Sequence, residues 1–394
     1  MFGRIPAMLN PSRFFLRLGL LAVLLTSCQP AAVTADPGII MTSAVETAFA
    51  EINVPTDTPA PTETPIPTAI IPRTPPALPP AFSTTVLNPL DTPHAYIQDS
   101  CQYLKAKWDP NNAAPGTVIM VVMLHGIKKN EADVTANDIT VKDFHQMMND
   151  LKEQGFEAIN ATQMADFIDH NAKIPQRSVL IIQDDRKTAE NFNTNFRQYY
   201  EQWGWPIINA WISLDDSTRT LNLQDNITLE QEGWVDHQSH GYIHNIPMTD
   251  LSTDEFIKTE FENSIKDLQQ NFNKTPVAII WPTGVFGVRP VQFARQYGYR
   301  LGFTIYPRGP VMYNWIPLAD EEDPARPAYL PEGYVNDPRM VIPRYWPYQV
   351  QANLDNVRNI GETAAAYAEQ NKATELEYYD IVCAPTLGPI SGTP

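Results

Sequence analysis

The chain has 394 residues, 43% of them hydrophobic and 19% charged, enough for one large domain or two ordinary ones. Its 28 Lys and Arg against 45 Asp and Glu leave a net charge of −17 with no basic block, which argues against a nucleic-acid partner. Three cysteines exclude a disulfide-dense scaffold and a four-cysteine zinc site, and seven histidines are few enough to follow one by one.

Residues 1–27 read as an export signal. Arg4, Arg13 and Arg17 form its positive region, and Leu18 to Leu25 its apolar core, too short to span a bilayer. Leu25-Thr26-Ser27-Cys28 resembles the lipobox of bacterial lipoproteins, with Cys28 as the residue that receives the lipid. The expectation is an extracytoplasmic protein anchored to the membrane through Cys28; the alternative is a plain signal peptide with a chance cysteine. Residues 28–94 then form the lipidated Cys and a Pro/Thr-rich linker. Between Pro55 and Pro80, ten of 26 residues are Pro and six are Thr. Such a segment samples extended polyproline II and buries no core. After export Cys101 and Cys383 remain, either as a disulfide closing a long loop or as two free thiols.

Residues 95–394 form the folded region. Val118 to Leu124 is an apolar strand ending in His125-Gly126. Phe144, Met147, Met148 and Leu151 mark one face of a helix. Ser178 to Ile182 is a second strand, running into Gln183-Asp184-Asp185. Phe192, Phe196, Tyr199 and Trp203 repeat at helical spacing, and Pro206 to Ile212 is strand-like. Ile257, Phe261, Ile265, Leu268 and Phe272 predict another amphipathic helix. Val277 to Trp281 predicts a strand before a Pro-Thr-Gly turn, Val291 to Tyr297 a helix and Leu301 to Ile305 a strand. Alternation of this length predicts an α/β fold with a parallel sheet or barrel and outer helices. In such barrels chemistry sits at the C-terminal ends of strands, where His125, Asp184, Asp185 and Thr283 fall.

Adjacent carboxylates at a strand end start out pointing in different directions, so one of Asp184 and Asp185 can bind a cation while the other stays free. An Asp capping a helix that starts near Thr188 is an equal alternative for the pair alone. In Ser239-His240-Gly241-Tyr242-Ile243-His244, two histidines four apart lie on one side of a helical turn and can share a metal. His237 lies close enough to confuse the ligand count. One Asp and two His leave positions open for water and substrate, the pattern of a catalytic site.

With these residues in view, the region from Pro115 to Tyr345 resembles the polysaccharide deacetylases of carbohydrate esterase family 4. Ile182-Gln183-Asp184-Asp185-Arg186 stands at the family's Thr-Phe-Asp-Asp-Gly motif, and Ser239 to His244 matches its Ser-His-x-x-x-His motif. Trp281-Pro282-Thr283-Gly284 stands at its Pro-Tyr-Gly turn; Gly298 to Thr304 and Asp337-Pro338 with Ile342-Pro343-Arg344 resemble its late strand and closing segment. No His follows His244 to serve as the family's usual late general acid. Met123-Leu124-His125-Gly126-Ile127 instead resembles the early Tyr-His-x-Ile segment of a permuted subgroup that deacetylates exported poly-N-acetylglucosamine; a buried His capping the first strand is the bland alternative.

The resemblance implies a deformed (β/α) barrel and a hydrolase that removes acetyl groups, N-acetyl above all, from a cell-surface or exported glycan such as poly-N-acetylglucosamine or peptidoglycan. It implies Asp185, His240 and His244 as ligands of Zn²⁺ or another divalent transition metal. Asp184 becomes the general base, His125 the general acid and the Thr283 backbone N–H an oxyanion donor. Trp203, Trp205, Trp281 and Trp346 are candidate sugar platforms. Asp166 and Asp236 read as surface or capping acids. Gln183, Arg186 and Thr283 depart from the motifs, and the family's Asp-orienting Arg falls near Ile280. Arg186 or Arg344 can replace it, and Arg186 can equally pair with Asp184 and weaken it as a base. These departures motivate a competing reading, a degenerate deacetylase that binds glycan without turnover. A transporter's substrate-binding lipoprotein ranks below both, since it leaves Asp-Asp and His-x-x-x-His unexplained.

Overall fold

The computed structural model describes residues 73–391 except 325 and 328. The export signal, Cys28 and the linker up to residue 72 lie outside the described residues. Strand β1 (Asp91–His94) and helix α1 (Ser100–Trp108) precede the first central strand, β2 (Val118–Leu124). A small parallel pair follows, β3 (Gly126–Lys128) and β4 (Asp138–Thr140), then α2 (Val141–Glu153), β5 (Glu157–Ala158), α3 (Ala161–His170) and β6 (Arg177–Gln183). Helices α4 (Ala189–Asn195) and α5 (Arg197–Trp203) lead to β7 (Ile207–Trp211), and α6 (Ser217–Gln231) leads to β8 (Val235–Ser239). Next come α7 (Asp254–Phe272), β9 (Ala278–Ile280), α8 (Val288–Gln296), β10 (Leu301–Phe303), β11 (Ile316–Ala319) and the long α9 (Pro347–Tyr378).

The central sheet runs β10-β9-β8-β7-β6-β2, all parallel, with β5 beside the start of β6. Strands β2 and β6 are continuous apolar runs because both faces are covered. Ile119 and Val121 enter one buried cluster with Leu180 and Ile182, while Val118, Met120 and Val122 enter another with Val179 and Ile181. The sheet curls into an incomplete barrel, and residues 342–345 bridge its edges. Ile342 N–H donates to the Gly302 carbonyl (2.8 Å), and Tyr345 N–H to the Val121 carbonyl (2.7 Å). This is the deformed (β/α) barrel expected from the sequence.

Several local expectations differ from the structure. The apolar spacing from Phe192 to Trp203 predicts one helix; the chain breaks at Phe196 into α4 and α5. Residues 78–94, assigned to the linker on composition, are part of the folded body. Strand β1 pairs antiparallel with β11, Trp315 Nε1 donates to the Phe82 carbonyl (3.0 Å), and Tyr367 Oη donates to the Pro80 carbonyl (2.7 Å). Extended, proline-rich chain satisfies few of its own backbone groups, so it takes partners from the body it lies on. Helix α9 left no signal in the sequence reading because part of its buried stripe is small: Gly361, Ala364 and Ala368 continue Val350, Leu354 and Val357. Gly361 lets it approach β2 closely, since a Cβ there would lie 2.8 Å from the Gly116 carbonyl oxygen. Cys101 and Cys383 form a disulfide that fastens α1 to the chain just beyond α9. No helix among the described residues is long and apolar enough to cross a membrane.

Candidate active site

The C-terminal ends of β2, β6, β8 and β9 and the closing segment deliver the polar residues singled out in the sequence. Beyond β6 the chain turns through two left-handed residues, Asp185 (φ 70°) and Arg186 (φ 43°). Non-glycine residues adopt this conformation only against a steric cost. Here it is held by Arg186, whose N–H donates to the Ala210 carbonyl (2.9 Å) and whose guanidinium donates to the Ile212 and Leu214 carbonyls and grips both oxygens of Asp216. Arg186 thus does not pair with Asp184. The turn sends the two carboxylates apart, and Thr188 rather than either Asp caps α4.

Asp184 is buried. Its Oδ1 accepts from Arg344 Nη1 (2.8 Å), and its Oδ2 lies 3.5 Å from His125 Nε2. Burial pushes the Asp184 carboxyl up, but Arg344, His125 and His240 outweigh it and hold its pKa below the usual carboxylate range. Arg344 is fully buried, donates also from Nε to the Thr304 carbonyl, and takes the orienting role left open between it and Arg186. The His125 ring stacks on Trp346 (centroids 5.3 Å apart, 19°), and burial lowers its pKa despite the nearby Asp184 and Asp185. Its Nδ1 is buried without a hydrogen-bond partner among the described residues, so stacking holds the ring where a second hydrogen bond does not. Gln183, at the family's aromatic position, is buried and donates from Nε2 to the Leu124 and His125 carbonyls (2.9 Å each), tying the ends of β2 and β6 together.

Asp185 turns toward the histidines. Its Oδ1 lies 3.7 Å from His240 Nε2 and 3.4 Å from His244 Nε2, and the donor atoms of all three residues lie within 4.8 Å of one another. His240 Nδ1 lies 2.8 Å from the Ile280 carbonyl; since a carbonyl only accepts, Nδ1 carries a proton, which leaves Nε2 as the nitrogen that faces Asp185 and is free to ligate. Burial raises the Asp185 carboxyl, but His240 and Lys187 more than offset it and keep it ionised far into the acid range. Two imidazole nitrogens and a carboxylate oxygen facing one point, with other positions open, fit a divalent metal such as Zn²⁺. The histidines do not sit on a helical turn as the spacing suggested. Residues 240–246 form an irregular turn, with Gly241 at φ 75°.

That turn is held from below by Glu260 of α7, fully buried, which accepts from the Tyr242 and Ile243 N–H groups at 2.8–2.9 Å. Its position on the apolar stripe of α7, between Ile257 and Phe261, is the sequence signal that could have marked it. Burial pushes its pKa from 4.5 up to about 7, even against those two hydrogen bonds. A carboxyl raised on folding favours the native state while it is protonated in both states, and that contribution is lost as pH rises from the unfolded value through the folded one. Between pH 4.5 and 7 the wild type should therefore lose roughly 2–3 kcal/mol of stability relative to Glu260→Gln. Urea unfolding of both proteins at pH 5 and pH 8 checks this, and a difference independent of pH would contradict it.

The remaining candidates divide. Thr283 is exposed in a turn after β9 (φ 58°), three residues beyond Ile280, and the adjacent Pro282 packs against Gly241. No hydrogen bond joins Thr283 to the acidic and histidine group among the described residues. His237 points away: its Nδ1 pairs with Glu230 (2.8 Å) and its Nε2 with Asn226 (2.9 Å). Asp236 accepts from the first N–H of α3, and Asp166 pairs with Arg300. Trp205 and Trp281 are core residues, and Trp203 packs on Tyr199 and Trp205. Trp346 alone of the four lies against His125, and its ring also stacks with that of the exposed Tyr348 (6.2 Å, 18°).

Residues 188–302 match the family model described as Polysaccharide deacetylase. The match spans α4 to β10 and includes His240, His244 and Thr283; His125, Asp184, Asp185 and Arg344 lie outside it. No curated protein matches the chain. Among solved structures, a Streptococcus pyogenes deacetylase, PplD, in complex with acetate is 17% identical, with 61% of this chain and 98% of that one covered and a TM-score of 0.48. IcaB from Ammonifex degensii is 12% identical, with coverage of 61% and 97% and a TM-score of 0.45. The BpsB deacetylase domain from Bordetella bronchiseptica is 16% identical, with coverage of 60% and 97% and a TM-score of 0.43.

Proposed function

We propose that this chain, which carries a polysaccharide deacetylase domain, is a metal-dependent hydrolase that removes acetyl groups, N-acetyl first, from a cell-surface or exported polysaccharide. The observation that carries the reading is the division of labour at the end of β6. Asp185 faces two imidazole nitrogens, while its neighbour Asp184 is held apart, ionised, by a buried arginine.

Asp185, His240 and His244 would hold the metal, Zn²⁺ on this donor set. Bound there, the metal supplies a Lewis acid that acidifies water and polarises an acetyl carbonyl. Asp184 takes the proton of the attacking water through Oδ2, since Oδ1 is committed to Arg344. His125, whose Nε2 lies 3.5 Å from Asp184 Oδ2, passes the proton that Asp184 has collected on to the departing amine, which restores both groups. The Thr283 N–H donates to the oxyanion as the acetyl carbon becomes tetrahedral. The stacked Trp346 and Tyr348 offer a sugar ring an aromatic face next to the proton donor.

We place the protein outside the cytoplasm, anchored through a lipid on Cys28 and held off the membrane by the Pro/Thr-rich linker. The Leu25–Cys28 sequence supports this, as does the Cys101–Cys383 disulfide, a bond of oxidising compartments. Placing His125 ahead of the Asp pair favours a poly-N-acetylglucosamine substrate. The test is acetate release by the zinc-loaded body, residues 73–394, from N-acetylglucosamine polymers, peptidoglycan and O-acetylated glycans. Release from one glycan class supports the reading and identifies the substrate. Retention of glycan without release, by protein shown to hold zinc, replaces it with a binding module.

A further inference from the structure

Asp185 has a second partner. Its Oδ1 faces His240 and His244, while its Oδ2 lies 3.6 Å from the ammonium of Lys187. Lys187 does not arrive there by chance rotation alone. Its backbone N–H donates to Asn209 Oδ1 (3.3 Å), and its carbonyl accepts from Asn226 Nδ2 (3.2 Å). Both asparagines are fully buried and bonded to each other (2.9 Å), so the base of the side chain is fixed at both backbone groups. The same positive charge acts on Asp138 of β4, whose carboxylate lies 3.9 Å from Lys128 Nζ. Lys187 is therefore a cation placed directly against the carboxylate of the metal-binding group. It follows Arg186, which stands where the sequence motif has a glycine.

We propose that Lys187 is a built-in counter-ion of the Asp185, His240 and His244 group, and that it sets how tightly this group binds a divalent metal. The proposal rests on the metal-dependent reading above and extends it. In the metal-free protein the ammonium neutralises Asp185 and keeps Oδ1 turned to the histidines. A divalent cation entering the group meets a fixed like charge a few ångströms away, so Lys187 weakens the affinity that the three ligands alone would give. The ammonium loses Asp185 as its partner when the cation takes that carboxylate, which makes its reactivity depend on metal.

A unit charge a few ångströms from a divalent ion changes its affinity on the order of tenfold even at the dielectric of water. Competition with a chromophoric zinc chelator measures the affinity directly, with no turnover required. Lys187→Met is expected to bind zinc about tenfold more tightly than the wild type, and Lys187→Arg to stay near the wild-type value. The wild-type gap to Lys187→Met should narrow in high salt, because the repulsion is screened. As a second readout, acylation of Lys187 by an amine reagent, followed by mass spectrometry, should rise when zinc is added. Wild type that binds zinc with the same affinity as Lys187→Met, or more tightly, overturns the counter-ion role while leaving the metal group intact. Failure of both proteins to bind zinc overturns the metal reading and this proposal with it.

Discussion

Asp184→Asn is expected to reduce acetate release by about 10²–10⁴-fold, the usual worth of a positioned general base, with zinc content unchanged. The separation of effects follows from geometry. Asp184 does not share the point faced by Asp185, His240 and His244, so the metal ligands survive the substitution. Asn keeps an acceptor for Arg344 Nη1, so the buried hydrogen bond at 2.8 Å has a successor. What is lost is the charge that takes the proton. Zinc content and rate measured on the same preparation separate the two, and an undiminished rate would remove Asp184 from the chemistry.

Arg344→Leu should have the larger effect on stability. It strands a carboxylate that is 2% exposed and whose ionised form depends first on that guanidinium. Removing one partner of a buried ion pair typically costs about 3–5 kcal/mol. The sign of the titration change is fixed as well. With Arg344 present, the pKa of Asp184 is depressed; without it, burial dominates and the pKa rises. The acid limb of the rate profile should therefore move to higher pH, together with a fall in the urea midpoint. A destabilised protein whose acid limb does not move would show that Asp184 is structural only.

Much of this arrangement was legible in the sequence because barrels of this kind place polar residues where apolar runs stop. Asp184, Asp185 and His125 were found at ends of runs and the His240–His244 pair by its spacing, and the structure brings them together. The disulfide was one of two open alternatives, since spacing alone does not reveal that α1 and the end of α9 meet. Periodicity was weakest where the buried surface is made of small residues, as on α9, or where a strand carries polar residues on buried positions. Strand β8 is the second case. Its Asp236, His237 and Gln238 satisfy neighbouring helices and strands and look like loop chemistry in a linear reading. The turn at His240–His244 went wrong for a different reason. Spacing of four fits a helix, but here Gly241 at positive φ and the Glu260 carboxylate bring the rings together without one. Arg186 looked damaging next to Asp184 in sequence, yet a left-handed backbone turns its side chain to Asp216.

Helix α9 sets the distance between two ends of the folded body. It begins one residue after Trp346, which is stacked on His125, and ends near Glu377 and Asp380, where Arg73 is bound. Thirty residues of helix between those points make a strut of about 45 Å. Arg73 thus sits at one end of this rod, and Trp346, stacked on His125, at the other. The exposed Arg73 ion pairs and the Cys101–Cys383 bond both lie at the end of α9 remote from the strand ends where the polar residues meet. A cut or fusion at the Arg73 end of the body therefore lies a full helix length from His125 and leaves the contacts around Asp184 and Asp185 in place.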